Sequence, residues 1–257
     1  MKLAAITLSA EGAKLALRLA EKLSDTDVYV HAQVEGDLGS EKFDSVVDLT
    51  GRIFDDYNGL IYIMPCGVVV RSIAPCLKHK TQDPAVVVVD VMARWAVSLL
   101  SGHEGGANDL AVSVGNILSA EPIVSTTTEA VKTLIVGIGC RRGVESHRIS
   151  AAIRSTLADA NLDLDHVRLL SSADIKHDES GLISAAQELG IPLRFISSEE
   201  IRNAVVDFQH SDFVEEQVNL PAVAEPCALL AGRRTKLIIR KKTYNGITVA
   251  VAQESSL

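Results

Sequence analysis

The chain has 257 residues, with 25 basic and 33 acidic side chains, a formal net charge of −8 and 47% apolar residues. Such a chain is neither disordered nor fibrous, and its length favours about two domains, each able to close a real core. The acidic balance and the 4% of aromatic residues argue against a broad nucleic-acid surface, while leaving room for a local cationic pocket and a small anionic ligand.

Cys66, Cys76, Cys140 and Cys227 show neither a C-x-x-C pair nor finger spacing. No disulfide framework or structural zinc is expected, and a reducing cytoplasm fits best. The longest uncharged apolar stretch, Leu60 to Val70, is broken by Pro65 and Gly67 and falls short of the ~20 residues a membrane helix needs. No contact with a membrane or with nucleic acid is expected. Leu3 to Ala10 has the look of a secretory signal, but Glu11, Lys14 and Arg18 follow in a helical pattern, so the start reads as strand, then helix.

In chain order, Leu3 to Leu8 reads as a buried strand, and Leu15, Leu19 and Leu23 lie with Ala16 and Ala20 on one helical stripe. Leu60 to Met64, Ala85 to Asp90 and Ala96 to Leu100 read as further strands between Gly, Pro and charged punctuation. After Gly106, the apolar residues Ala107, Leu110, Ala111, Val114, Ile117 and Leu118 keep helical spacing. Glu121-Pro122 is expected to close that segment before a short strand to Ser125.

The small, polar stretch Ser125 to Lys132 places a domain boundary near residue 130, giving an N-terminal domain of residues 1–130 and a C-terminal domain of residues 131–257. Beyond it, Leu134 to Ile138 starts a strand, Ile149 to Leu157 a helix and Val167 to Leu170 a strand. A helix from about Ser180 to Leu189 is stopped by Gly190 and Pro192, and Leu193 to Ile196 is the next strand. Lys236 to Lys242 and Ile247 to Ala252 flank Asn245-Gly246, a hairpin signal. Asn203 to Leu220 carries no readable pattern. The alternation predicts two α/β domains joined by a short linker, with a ligand cleft between them and ligand groups at the carboxyl ends of strands.

Three turns could carry chemistry. In Ser101-Gly102-His103-Glu104-Gly105-Gly106-Ala107-Asn108, three glycines fall within five positions between a strand and a helix. Free amides there could hold an anion or a developing oxyanion, His103 could act as base or acid, and Glu104 or Asp109 could orient it. The same turn also reads as an ordinary Gly-rich connection with Asn108 as a cap and a solvated histidine. Gly137-Ile138-Gly139-Cys140-Arg141-Arg142-Gly143 matches neither a P-loop nor G-x-G-x-x-G. Its adjacent arginines could clamp carboxylates or phosphates. Cys140 could be activated by the neighbouring cations or be a plain buried thiol. Cys66-Gly67-Val68-Val69-Val70-Arg71 reads as a third turn, where Arg71 is either a carboxylate anchor or a helix-surface residue. Lys176, His177, Asp178 and Glu179 form a polar cluster just before a helix, where acids could serve its dipole. His177 is read as part of that solvated cluster, and His31, His79, His147, His166 and His210 show no metal-ligand spacing and receive no function.

Taken together, these turns resemble the cobalamin-biosynthesis CbiG family. The resemblance rests on Cys66 to Arg71, Asp83-Pro84-Ala85 to Asp90, Ser98-Leu99-Leu100-Ser101-Gly102-His103 with Gly105 to Asn108, and Gly137 to Gly143. Asp174-Ile175-Lys176 with Asp178-Glu179 and Gly181-Leu182, and the terminal Gly246 to Ala252, resemble the family's C-terminal domain, which is shared with CobE proteins. Many members carry a middle region that is absent here, and Glu104 stands at a commonly apolar position.

The resemblance implies a hydrolase acting on cobalt-precorrin-5A, opening its δ-lactone and releasing acetaldehyde. The implied partner is therefore a corrinoid that brings its own cobalt, with no separate metal and no cofactor. With such a substrate, the reading of the residues makes His103 and Glu104 the expected catalytic residues. Arg71, Gly102, Gly105, Gly106, Asn108, Gly139, Cys140, Arg141, Arg142 and Lys176 are the implied substrate contacts. A homodimer, and transient docking with other enzymes of the same pathway, are compatible with it. Competing readings are a corrinoid carrier without activity and, more remotely, a nucleotide-binding α/β protein.

Overall fold

The computed structural model describes residues 1–36, 39–209, 215 and 219–255. It divides into two units, Met1–Thr126 and Thr127–Leu257. In the first, the apolar run at the start becomes β1 (Leu3–Thr7), buried along its whole length, and the leucine-alanine stripe becomes α1 (Ala10–Lys22), whose Ser9 side chain accepts from the Gly12 amide. The N-terminal unit continues as β2 (Thr26–His31), β3 (Glu41–Phe43), α2 (Val46–Ile53), β4 (Gly59–Ile63), α3 (Cys66–Ile73), β5 (Ala85–Val89), β6 (Trp95–Leu100), α4 (Ala107–Leu118) and β7 (Glu121–Ile123).

Its sheet runs β3-β2-β1-β4-β5-β6-β7. The pairs are parallel except β5 with β6, so β6 and β7 run against the other five. One face packs Ala5, Ile61, Val87 and Val89 against Ala13, Ala16 and Leu19 of α1 and Leu110 and Val114 of α4. The other packs Ile6, Leu60, Tyr62 and Val88 against Leu49 and Ile53 of α2 and Val69 and Ile73 of α3. Burial on both faces explains why these strands read as continuous apolar runs.

The second unit comprises α5 (Thr127–Ala130), β8 (Leu134–Cys140), α6 (Ser146–Ala158), β9 (Val167–Ala173), α7 (Ser180–Leu189), β10 (Leu193–Ile196), α8 (Ser198–Arg202), α9 (Ala224–Leu230), β11 (Lys236–Tyr244) and β12 (Ile247–Gln253). Its sheet order is β10-β9-β8-β12-β11, with β8, β9 and β10 parallel and β12 antiparallel to both neighbours. Helices α6 and α7 cover one face through Ile149, Ile153, Leu182 and Ala185. Helix α9 lies across the other, against β8, β12 and β9. Gly137 is what lets it in, because a Cβ there would stand 1.9 Å from the Ala224 carbonyl oxygen.

Two expectations are corrected. Cys66 to Arg71 is the body of helix α3, begun after Pro65 at φ −58°. Val69 and Ile73 on its buried side pack into the core, and that burial overrides the weak helix propensity of three consecutive valines. Glu121-Pro122 does not close a helix. Helix α4 has already stopped, with Ser119 left-handed at φ 57°, and both residues belong to β7. As the last strand of its sheet, β7 can hold a proline without losing an inner ladder bond. Among the described residues, no helix is long and apolar enough to cross a membrane.

Candidate functional site

The Gly-rich turn follows β6. Because β6 runs backwards, its last residue, Leu100, pairs with Val86 near the start of β5, so the turn leaves the edge where β4 and β5 begin. The turn is closed by its own backbone. The Ser101 carbonyl accepts from the Gly105 amide at 3.0 Å and the Ala107 amide at 3.2 Å, and the Gly102 carbonyl accepts from the Asn108 amide at 3.0 Å. Ser101 takes φ 55° and Gly106 φ 82° to make this closure, the second at no steric cost for a residue without Cβ.

Asn108 is buried at the start of α4. Its Oδ1 accepts from Ser98 Oγ at 2.8 Å and its Nδ2 donates to Thr126 Oγ1 at 3.0 Å. A Cβ on Gly102 would stand 2.6 Å from Thr126 Cγ2, and one on Gly105 would stand 2.5 Å from Ser101 Cβ. The loop is therefore tight, and Asn108 locks it to the β7 exit. His103 and Glu104 sit exposed at its crest. Glu104 accepts from Lys80 Nζ at 2.7 Å. That bond, with a further one from its own amide, holds the Glu104 carboxyl below the usual carboxylate range. No described residue hydrogen-bonds the His103 ring.

The structure does not bring Arg71 into this loop. Helix α3 opens where β4 ends, at the opposite edge of the sheet, and the Arg71 side chain folds back toward that opening, with Nη1 3.9 Å from where a Cβ on Gly67 would stand. Among the described residues, no carboxylate pairs with it.

In the C-terminal unit, Cys140, Arg141, Arg142 and Lys176 are brought together where β8 and β9 end. Arg142 Nη1 donates to both Asp178 oxygens at 3.1 Å, and Nη2 donates to the Ile175 carbonyl at 3.3 Å. The Gly143 amide donates to Glu179 Oε1 at 2.8 Å, and Lys176 Nζ lies 3.6 Å from Glu179 Oε2. Lys176 is 8% exposed and Glu179 4%. Arg141 differs. Its amide donates to the Gly246 carbonyl at 2.9 Å, its side chain lies along the Asn245-Gly246 turn, and among the described residues no carboxylate pairs with its guanidinium. Arg148 Nη2 supports the same turn from below by donating to Asn245 O at 3.0 Å.

Burial pushes the Cys140 thiol up, Lys176 opposes that shift and Glu179 adds to it. The thiol therefore stays protonated, which speaks for the plain-thiol reading over an activated nucleophile. Gly139 is accounted for by packing, since a Cβ there would stand 2.5 Å from Thr248 Oγ1. Sequence reasoning passed over Lys80 and Arg148 and read Asp178 and Glu179 only as acids serving a helix dipole, although all four are partners of the residues it singled out. Only Asp178 and Glu179 had a local signal, lying next to Lys176. Among the described residues, no group of three or more His, Cys, Asp or Glu side chains is placed to hold a metal ion. His210 lies outside the described residues.

Comparison with known proteins accounts for both halves. The description "Cobalamin synthesis G N-terminal" matches residues 48–129 and "Cobalamin synthesis G C-terminus" matches residues 134–252. A protein of Priestia megaterium named cobalt-precorrin-5A hydrolase is 26% identical over 353 positions, covering 97% of this chain and 94% of its own. One of the same name from Salmonella typhimurium is 25% identical over 342 positions, covering 97% of each. Both alignments run longer than this chain's 257 residues, so each relative carries positions with no counterpart here. Protein CobE of a Sinorhizobium species is 30% identical over 133 positions, covering 51% of this chain and 86% of its own. With both halves of one family matched in chain order, the chain belongs to the cobalamin synthesis G (CbiG) family.

Proposed function

We propose that this chain is a cobalt-precorrin-5A hydrolase of anaerobic cobalamin synthesis, giving cobalt-precorrin-5B and acetaldehyde. The observation that carries the reading is that relatives bearing that name align with 97% of the chain, across both family halves. Water attacks the δ-lactone carbonyl and the acyl–oxygen bond breaks, leaving a carboxylate and a free hydroxyl on the two-carbon unit. Loss of that hydroxyl's proton lets the carbon–carbon bond to the macrocycle cleave. The unit leaves as acetaldehyde, and the macrocycle carbon takes up the electron pair and then a proton.

In this reading His103 takes the proton from the attacking water, with its imidazole as general base. Glu104 is held by Lys80 and fixes the crest of the loop beside it. The Gly105 amide is already donated to Ser101, so the developing oxyanion falls to the Gly106 amide. The macrocycle is a polycarboxylate, and Arg141 is the cation ready to take one of its acid groups bidentately; Arg71, at the sheet edge opposite the His103 loop, has no part in this scheme. Arg142 and Lys176 engage Asp178 and Glu179 and shape the loop that carries Arg141. The cobalt belongs to the substrate, and the scheme uses no other metal or cofactor.

The test is anaerobic incubation of purified protein with cobalt-precorrin-5A, following acetaldehyde by a coupled dehydrogenase and the corrinoid by mass spectrometry. Protein-dependent acetaldehyde with the matching mass loss is the expected result. Binding that returns the corrinoid unchanged would replace the hydrolase by a carrier.

A further inference from the structure

Glu179 occupies the N-cap position of α7, yet its side chain makes no cap bond to that helix. Its carboxylate turns instead toward the β8 loop and divides its two oxygens. Oε1 accepts from the Gly143 amide at 2.8 Å, and Oε2 faces the Lys176 ammonium at 3.6 Å. At 4% exposure, a carboxylate needs such partners to offset its lost hydration. The start of α7 is pressed against the same loop. A Cβ on Gly181 would stand 1.8 Å from the Val144 carbonyl oxygen.

The backbone that carries the two arginines is thus pinned on both sides. The Arg141 amide is held by the Gly246 carbonyl at 2.9 Å, and two residues later the Gly143 amide is held by Glu179. Between these points, Arg142 is tied to Asp178 and Arg141 keeps its guanidinium for an incoming anion. We propose that Glu179 is a positioning residue for carboxylate recognition: by gripping the Gly143 amide it fixes the loop from which Arg141 meets an acid side chain of the substrate. The inference rests on the hydrolase reading for the identity of that substrate. Glu179 itself touches no reacting atom, so its loss acts on affinity and not on the bond-breaking steps.

The experiment compares wild type, Glu179→Ala and Glu179→Gln by equilibrium dialysis of cobalt-precorrin-5A, by KM and kcat for acetaldehyde release, and by the amide proton shift of Gly143. Alanine removes the acceptor, and a lost bond to a charged group corresponds to roughly ten- to hundredfold in Kd and KM, with kcat within about twofold. The Gly143 amide should move upfield in step. Glutamine keeps an oxygen for that amide and should restore Kd to within about threefold of wild type. Unchanged affinity in Glu179→Ala overturns the proposal. So does a Glu179→Gln variant that binds as weakly as alanine while its Gly143 amide has not moved. If Glu179→Ala fails to fold, the glutamine variant decides alone, through the same pairing of affinity with amide shift. A wild type that binds but releases no acetaldehyde removes the hydrolase reading and leaves the dialysis comparison decisive. A wild type that does not bind cobalt-precorrin-5A removes both.

Discussion

The two loops that carry the candidate chemistry are held in opposite ways. Residues 101–108 close on themselves, with Ser101 and Gly102 carbonyls absorbing the amides of Gly105, Ala107 and Asn108. The His103 side chain is thereby free for chemistry. Residues 140–143 are held from outside by Glu179, Asp178 and the Gly246 carbonyl, and of their two arginines Arg142 is already engaged. A loop fixed by its own backbone can present a reactive side chain without perturbing it. A loop fixed by side chains can be loosened by changing a neighbour, which suits recognition more than bond-breaking.

The sharpest way to test this division is His103→Ala. If the self-closed loop exists to present a proton acceptor, acetaldehyde release should fall by roughly 10²–10⁴ in kcat, the range typical of a lost general base, with KM little changed. Because none of the bonds that close the loop uses the His103 side chain, the variant should melt at the wild-type temperature. An unaltered kcat would remove His103 from the chemistry and leave the loop purely structural.

Next in size is Gly181→Ala, aimed at the externally held edge. Its new Cβ would meet the Val144 carbonyl oxygen at 1.8 Å. Backbone meets backbone there, and no flexible side chain can yield. Overpacking of this kind costs about 3 kcal/mol, to be read as a lower urea midpoint by far-UV circular dichroism. A midpoint equal to wild type would mean that the contact between the two loops yields cheaply.

Much of this division was legible in the sequence at the level of elements and little at the level of partners. Strands β1, β4, β5 and β8 are buried apolar runs, and Gly190 and Asn245-Gly246 take the left-handed angles their residue types announce. By contrast α3 is Cys-Gly-Val-Val-Val-Arg-Ser-Ile, a composition that favours strand or turn until Pro65 and a buried face impose a helix. The reversal of β6 is signalled only by connection length, too short for a parallel crossover. It follows from the short Asp90 to Arg94 connection, and it moves the His103 loop to the sheet edge away from the start of α3. Glu179 could not be read as a loop anchor, because its partner, Gly143, is 36 residues away and no spacing rule links them.

A smaller effect is expected from Arg141→Ala. Arg141 has no carboxylate partner among the described residues, so its removal strips no buried charge and should leave stability within about 0.5 kcal/mol of wild type. Its loss should raise KM roughly tenfold with kcat nearly unchanged, the signature of binding shared by ground and transition states. A fall in kcat at constant KM would move Arg141 from recognition into the bond-breaking machinery and blur the contrast between the loops.

The smallest effect separates the two kinds of turn within the N-terminal unit itself. Asp90 clamps the β5–β6 connection, with Oδ1 accepting from the Arg94 amide at 2.7 Å and the Trp95 amide at 3.0 Å, and Oδ2 from Arg94 Nε at 2.9 Å. Burial pushes the Asp90 carboxyl up, but the bonds from Arg94 and Trp95 outweigh it and the net shift is downward. A carboxyl depressed by folding stabilises fully above its unfolded value of about 3.9, and that contribution is lost as pH falls through the lower folded value. Below about pH 4, the Arg94 and Trp95 amides should therefore lose protection against hydrogen exchange, by an amount corresponding to about 1 kcal/mol. The Gly105 and Asn108 amides donate to carbonyls, which do not titrate, and should keep theirs. In Asp90→Asn the acid-dependent loss at Arg94 and Trp95 should vanish, because the group that titrates is gone. Equal loss at both turns would mean that acid loosens the unit as a whole, and the distinction between self-closed and side-chain-clamped turns would fail.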